Sequence, residues 1–156
     1  MEAEKVKSEL KKAIEKYGLP EFEILDKELE IVDMLAERRE LPQNMLCVIR
    51  RRFTEAVYSW INFIHSLIVP NPQSIIVNKD AEAFDDKEKE RIYRTMAVLA
   101  KMTRESTGFE ANRKQDKKEA KFIKENFEKY LEIKKDILAL NQKIIEHWQK
   151  EIDSNS

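Results

Sequence analysis

Residues 46–69 read LCVIRRRFTEAVYSWINFIHSLIV, and this stretch decides the fold. Leu46, Ile49, Phe53, Val57, Trp60, Ile64 and Ile68 recur at spacings of three and four, the period of one helix face. Ile61, Phe63 and Leu67 widen that face until its second half is apolar nearly all round. No Asp, Glu, Lys or Arg occurs between positions 56 and 78. A helix apolar on every side is buried in protein or in a membrane. A bilayer span takes about 20 apolar residues. The run 57–69 offers only 13 positions, interrupted by Ser59, Asn62, His65 and Ser66. The stretch therefore predicts the central helix of a bundle, or a helix that gives one face to a partner, and no membrane association. Trp60, Phe63 and Leu67 are its candidate partner anchors, since buried aromatics dominate many interfaces.

Working outward, the breakers set the boundaries. Gly18, Gly108, Pro20, Pro42, Pro70 and Pro72 are the only Gly and Pro residues in 156. That leaves too few turns for a β-sandwich or an α/β fold. Upstream of Pro42, Val6, Leu10, Ala13, Ile14 and Tyr17 predict a first helix over about 2–17, closed by Gly18 in a left-handed conformation. A second, acidic helix is expected from Pro20 to about position 40, with Phe22, Leu25, Leu29, Val32 and Ala36 inward. Downstream, Pro70 and Pro72 end the central helix. The segment to Phe84 is expected to be a loop over the core, with Ile75-Ile76-Val77 able to add a short strand. Asp85-Asp86-Lys87-Glu88 reads as a capping box for a fourth helix that carries Ile92, Met96, Leu99 and Thr103 and that Gly108 would close.

The last helix carries two apolar registers. Ile123, Phe127, Tyr130, Ile137, Ile144 and Trp148 form one, and Leu131, Leu138, Ile145 and Ile152 form the other. A helix of about 40 residues would be about 60 Å long, more than a compact bundle needs. Its polar first third, from 110 to 121, is expected to fray or project. The expected fold is all-α: an up-and-down helical bundle of four to five helices with a long C-terminal helix, one domain over 1–152, and a disordered tail at 153–156.

Composition narrows the function classes. Charged residues make up 38% and apolar ones 42%, against about 25% charged in an average domain. Formal net charge is −1, which excludes a global polycation. Cys47 is the single cysteine, so no internal disulfide forms. With a charged N-terminus and no apolar leader, a cytoplasmic location is expected.

Several chemistries fail on spacing. The Glu-x-x-His pairs of di-iron bundles are missing, because Asn62 precedes His65 and Ile144 precedes His147. Two His and one Cys cannot build the usual Cys/His zinc site. Cys47 and His65 would lie about 27 Å apart along one helix and cannot form a nucleophile–base pair. Cys47 reads instead as a small core residue, His65 as a core histidine, and Asn62 and Asn141 as buried polar residues that fix helix register. No glycine-rich phosphate loop occurs. The HEPN-class helical ribonucleases carry an Arg with four to six residues between it and a His, but positions 58–60 before His65 hold Tyr58, Ser59 and Trp60, and positions 140–142 before His147 hold Leu140, Asn141 and Gln142. No catalytic residue, cofactor or metal ligand is expected.

What remains is partner binding. The surplus apolar surface of 45–69 and the overlong last helix point to a non-enzymatic interaction protein, an adaptor or subunit that binds a protein partner or self-associates. The alternative is a nucleic-acid-binding accessory protein, whose phosphate contacts would be Arg50, Arg51, Arg52, Arg113, Lys114, Lys117, Lys118 and Lys121. Against that alternative, the basic run also reads as a solvated face paired with Asp116, Glu119 and Glu125, and the acidic helix could neutralise the arginine triplet. An enzyme with an unrecognised site is the third class.

Overall fold

Local capping chemistry sets most helix ends. A computed structural model describes residues 2–156. It is 81% helix, with no strand among the described residues. Helix α1 (Ala3–Tyr17) ends where Gly18 adopts φ 61°, and the Leu19 amide donates back to the Ile14 carbonyl. Glycine takes this left-handed conformation without a Cβ penalty.

The expected second helix is two helices, α2 (Phe22–Leu29) and α3 (Ile31–Ala36). They break at Glu30, the one non-glycine residue with positive φ (51°) among those described. Two hydrogen bonds hold the break: Asp26 Oδ1 accepts from the Val32 amide at 2.9 Å, and Arg52 Nε donates to the Leu29 carbonyl at 2.6 Å. The latter satisfies an acceptor that a helix end leaves open.

Helix α4 (Met45–Ile68) starts three residues after Pro42, with Asn44 Oδ1 accepting from the Cys47 amide at 3.1 Å. The segment expected as a loop or strand instead contains α5 (Ile75–Glu82), capped by Ser74, whose hydroxyl accepts from the Val77 amide. Serine is a strong N-cap. The Asp85/Glu88 capping box forms in both directions, at 2.8 and 3.2 Å. Helix α6 (Asp86–Ala111) runs through Gly108 rather than ending there. Helix α7 (Asp116–Ser154) has 39 residues and takes in Asp153 and Ser154, which were expected in a disordered tail.

The chain divides into two compact units. The first contains Met1–Ala56 and Thr103–Glu128, and the second Val57–Met102 and Lys129–Ser156. In the first, α1 packs on α2 and α3, and the core gathers Val6, Leu10, Leu25, Ile31, Leu35, Leu46, Ile49 and Phe53. Phe53 meets the edge of Phe127 at 5.8 Å and the tilted ring of Phe122 at 6.2 Å. The polar start of α7 neither frays nor projects, because Ala120, Phe122, Ile123 and Phe127 are buried in this unit. The second unit buries Val57, Ile64, Leu67, Ile92, Leu99, Tyr130, Ile137 and Ile144. Helix α5 is held to α7 there by Trp148 Nε1 donating to Asp80 at 2.7 Å and by Lys79 paired with Glu151 at 2.9 Å.

The two glycines respond oppositely to an added methyl. At Gly108 a Cβ meets nothing within 4 Å, whereas Gly18 requires its positive φ. Gly108→Ala should raise unfolding free energy by about 0.5–1 kcal/mol. Gly18→Ala should lower it by about 1–2 kcal/mol. Urea unfolding of the two variants against the parent checks both signs.

Candidate functional site

The arginine triplet does not form one basic patch. The side chain of Arg50 points along the apolar face of α4 and is 1% exposed, and Glu119 of α7, at 2%, lies equally deep. Arg50 Nε donates to Glu119 Oε1 at 2.7 Å. Its Nη1 donates to the Ser106 hydroxyl and Nη2 to Glu110 Oε1, both at 2.7 Å. Cys47 Sγ accepts a longer contact of 3.7 Å, and the guanidinium sits 5.9 Å from the Phe109 ring centroid. Thr54 shares a 2.7 Å hydrogen bond with Ser106. Burial works against the charged guanidinium, yet hydrogen bonds to Glu110 and Glu119 outweigh it and raise the Arg50 pKa.

Glu110 is the hub on the outer side of this network. Its Oε1 accepts from Arg51 Nε at 2.6 Å as well as from Arg50. Its Oε2 accepts from Arg51 Nη2 at 2.8 Å and from Arg113 Nη2 at 3.3 Å. Three arginines thus converge on one carboxylate. The hydrogen bonds from Arg51 first, then Arg50, hold the Glu110 pKa down at about 2. Arg52 turns elsewhere, to the Leu29 carbonyl, to Glu55 at 3.0 Å and to Glu30 at 3.8 Å. The acidic second segment therefore meets Arg52 alone of the triplet.

The downstream basic residues form a cleft, not a helical stripe. Arg113 and Lys114 lie in the turn before α7, and Lys117 and Lys118 in its first turn. With Asn44, Gln115 and Asp116 they line an open cleft of about 610 Å³ in the first unit. All four cations are exposed. Lys121 lies beyond the cleft and faces Glu125 at 3.8 Å.

In the second unit, Trp60 and Phe63 are half-buried and stack edge to face at 6.1 Å. Trp60 Nε1 donates to the Tyr130 hydroxyl at 3.1 Å. Leu67 is fully buried and belongs to the unit's own core rather than to a partner surface. His65, Asn62 and Asn141 are exposed, contrary to the expectation of buried polar residues, and the buried asparagine is Asn126. Its amide donates to the Phe122 carbonyl at 2.8 Å. Cys47 is half-buried beside Arg50 rather than in the core.

Among the described residues no three His, Cys, Asp or Glu side chains are gathered as metal ligands would be. None of the helices is long and apolar enough to cross a membrane. No protein-family model matches the chain, nor does any curated protein or solved structure.

Of the contacts of Arg50, the one with Glu119 had a signal in the sequence. Arg50 falls four residues after Leu46, and Glu119 four before Ile123, so each interrupts an apolar stripe with a charge of opposite sign. Nothing marked Glu110 or Ser106.

Two outcomes follow for stability. Removing one partner of a buried ion pair strands the other, at about 3–5 kcal/mol. Glu119→Leu should show that loss in urea unfolding, and adding Arg50→Met should recover part of it. Glu110 has its folded pKa depressed below the unfolded value, so its contribution is complete above the ordinary carboxylate pKa and fades as pH falls toward about 2. Glu110→Gln should flatten the acid limb of stability against pH between about 4.5 and 2.

Proposed function

We propose that this chain is a non-enzymatic helical interaction protein, an adaptor or subunit of a larger assembly, that offers its second unit to a protein partner. The observation that carries this reading is where the exposed apolar side chains fall. Ten large ones stand more than two-fifths exposed among the described residues, and nine of them (all but Ile24) lie in the second unit. Singly scattered exposed apolar residues are normal on any surface. A concentration in one unit of two is not scatter.

Their order supports a helical partner. Leu138, Ile145 and Ile152 repeat at seven residues along α7 and are 49%, 51% and 59% exposed. Tyr58, Asn62 and His65 step by four and three along the outer face of α4, and Val69 follows just past its end, with no charge between them. Ile75 and Ile76, at the start of α5, are 84% and 65% exposed. Interface cores are depleted of charge and enriched in aromatic residues, and heptad stripes accept a second helix. The fitting partner surface is itself apolar and uncharged, since an unpaired charge buried against this face would be costly. A second copy of the chain meets that description. One cysteine and no disulfide suit a reducing compartment such as the cytoplasm.

A nucleic-acid-binding accessory role is the second reading, and the observation favouring it is the basic cleft at Arg113, Lys114, Lys117 and Lys118.

Tyr58→Glu combined with Ile145→Glu places charge on both outer faces at exposed positions, so helicity by circular dichroism should not change. A parent chain that co-purifies with a protein from the cells expressing it, or that is dimeric by light scattering, should lose that association in the double variant. A parent that stays monomeric at high concentration, with identical co-purifying proteins for both chains, would overturn the reading.

A further inference from the structure

We infer that the cleft at the start of α7 is a binding site for linked phosphate groups, taken either from the backbone of a single-stranded nucleic acid or from a free polyphosphate. The inference narrows the nucleic-acid reading to a few residues, and it stands without that reading if a free polyphosphate is the ligand.

Three of the four cations lack an anion partner and are gathered in one cleft. Some cations elsewhere, among them Lys12, Lys79, Arg94, Lys121, Lys135 and Lys143, lie beside a carboxylate. Lys114, Lys117 and Lys118 do not, among the described residues. The sequence spacing leaves them few candidates. Lys121 and Phe122 follow Lys117 and Lys118 by one helical turn. Glu119, which a solvated helix would leave among these lysines, is turned inward to Arg50. Asp116 is the single acid in the cleft lining and accepts from the Tyr17 hydroxyl at 3.2 Å. Four cations and one anion therefore line the cleft, an excess of three positive charges.

The placement of the cleft also suits an anion. The cleft opens at the N-terminal end of a 39-residue helix, where first-turn amide groups and the helix dipole favour an anion. The volume of about 610 Å³ exceeds what one phosphate needs. No aromatic side chain lines it, so it offers nothing for a base to stack on. Recognition would rest on the phosphates and carry no sequence preference.

Arg113 links the cleft to the arginine network. It holds Glu110 at 3.3 Å with its own side chain 66% exposed. Arg113 can exchange this carboxylate for a phosphate without unfolding anything, while Arg50 keeps Glu119 and Ser106. Glu110 is thus a competitor for the ligand as well as a positioning residue for Arg113.

The test titrates the full chain with inorganic triphosphate by calorimetry and with a fluorescent single-stranded oligouridylate by anisotropy. Oligonucleotide binding should weaken with salt at a log–log slope of about −3 if four phosphates are contacted, at about −0.7 each. Lys117→Glu with Lys118→Glu should abolish binding of either probe with unchanged helicity, and Glu110→Gln should strengthen it several-fold. Binding of triphosphate alone would assign the site to free polyphosphates, and salt-sensitive oligonucleotide binding lost in the lysine variant would assign it to nucleic acid. Failure of both probes at low salt, or binding that the lysine variant retains, would overturn the proposal.

Discussion

Arg50 and Glu119 are the constraint around which the first unit is arranged. A guanidinium and a carboxylate, each almost wholly out of water, are tolerable only together. Their 2.7 Å contact fixes the turn of α7 that faces α4, and Ser106 and Glu110 bring α6 to the same point. Apolar packing alone would leave helices some freedom to rotate or slide. A buried pair with directed hydrogen bonds admits one register. The aromatic cluster of Phe53, Phe122 and Phe127 then packs beside a contact whose geometry is already set. The same pair has an effect at the surface. By drawing Glu119 inward it removes a carboxylate that could have screened Lys117 and Lys118, and leaves Asp116 as the acid beside them. The cationic character of the cleft is therefore a consequence of how the core is pinned.

The second unit is held differently. It has no buried ion network among the described residues, and its core is a seam of apolar side chains on α4, α6 and α7. Helix α7 offered two apolar registers. Tyr130, Ile137 and Ile144 went inside and left Leu138, Ile145 and Ile152 outside, because residues one apart on a helix point about 100° apart and cannot both face one seam. Helix α5 exists for a related reason. Eight residues with a weak apolar pattern would not hold a helix in water. The Ser74 cap, the Trp148–Asp80 hydrogen bond and the Lys79–Glu151 pair hold this one against α7.

The helix class and the inward positions of the long helices were legible because they follow from periodicity. Leu46, Ile49, Phe53, Val57 and Ile64 are buried as their spacing required, and the Asp85 capping box and Gly18 turn act as their local chemistry dictates. What the sequence did not carry depends on tertiary partners. The break at Glu30 needs Asp26 and Arg52, the second of them 22 residues away. Arg50 looked like surface because it sits in a triplet, and only the position of Glu119 reveals that it is core. His65 and Asn62 were expected inside because their neighbours are apolar. They fall on the outer face of α4, between the positions that carry the seam. The mixed character of that helix is what made the inside hard to distinguish from the outside.

The two surpluses, of apolar surface and of unpaired cations, occur in different units and have different physical signatures. An exposed apolar stripe gains free energy from any surface that removes it from water, so its binding should persist in salt and weaken on cooling. A cluster of lysines gains from counterion release and fades as salt rises. Neither helps the isolated chain. The apolar stripe of α7 leaves hydrophobic area in water, and Lys114, Lys117 and Lys118 repel one another at the very turn they share. These are the surfaces on which the proposed protein binding and the proposed phosphate binding rest. If both bind as proposed, their opposite response to salt separates the two on one intact protein.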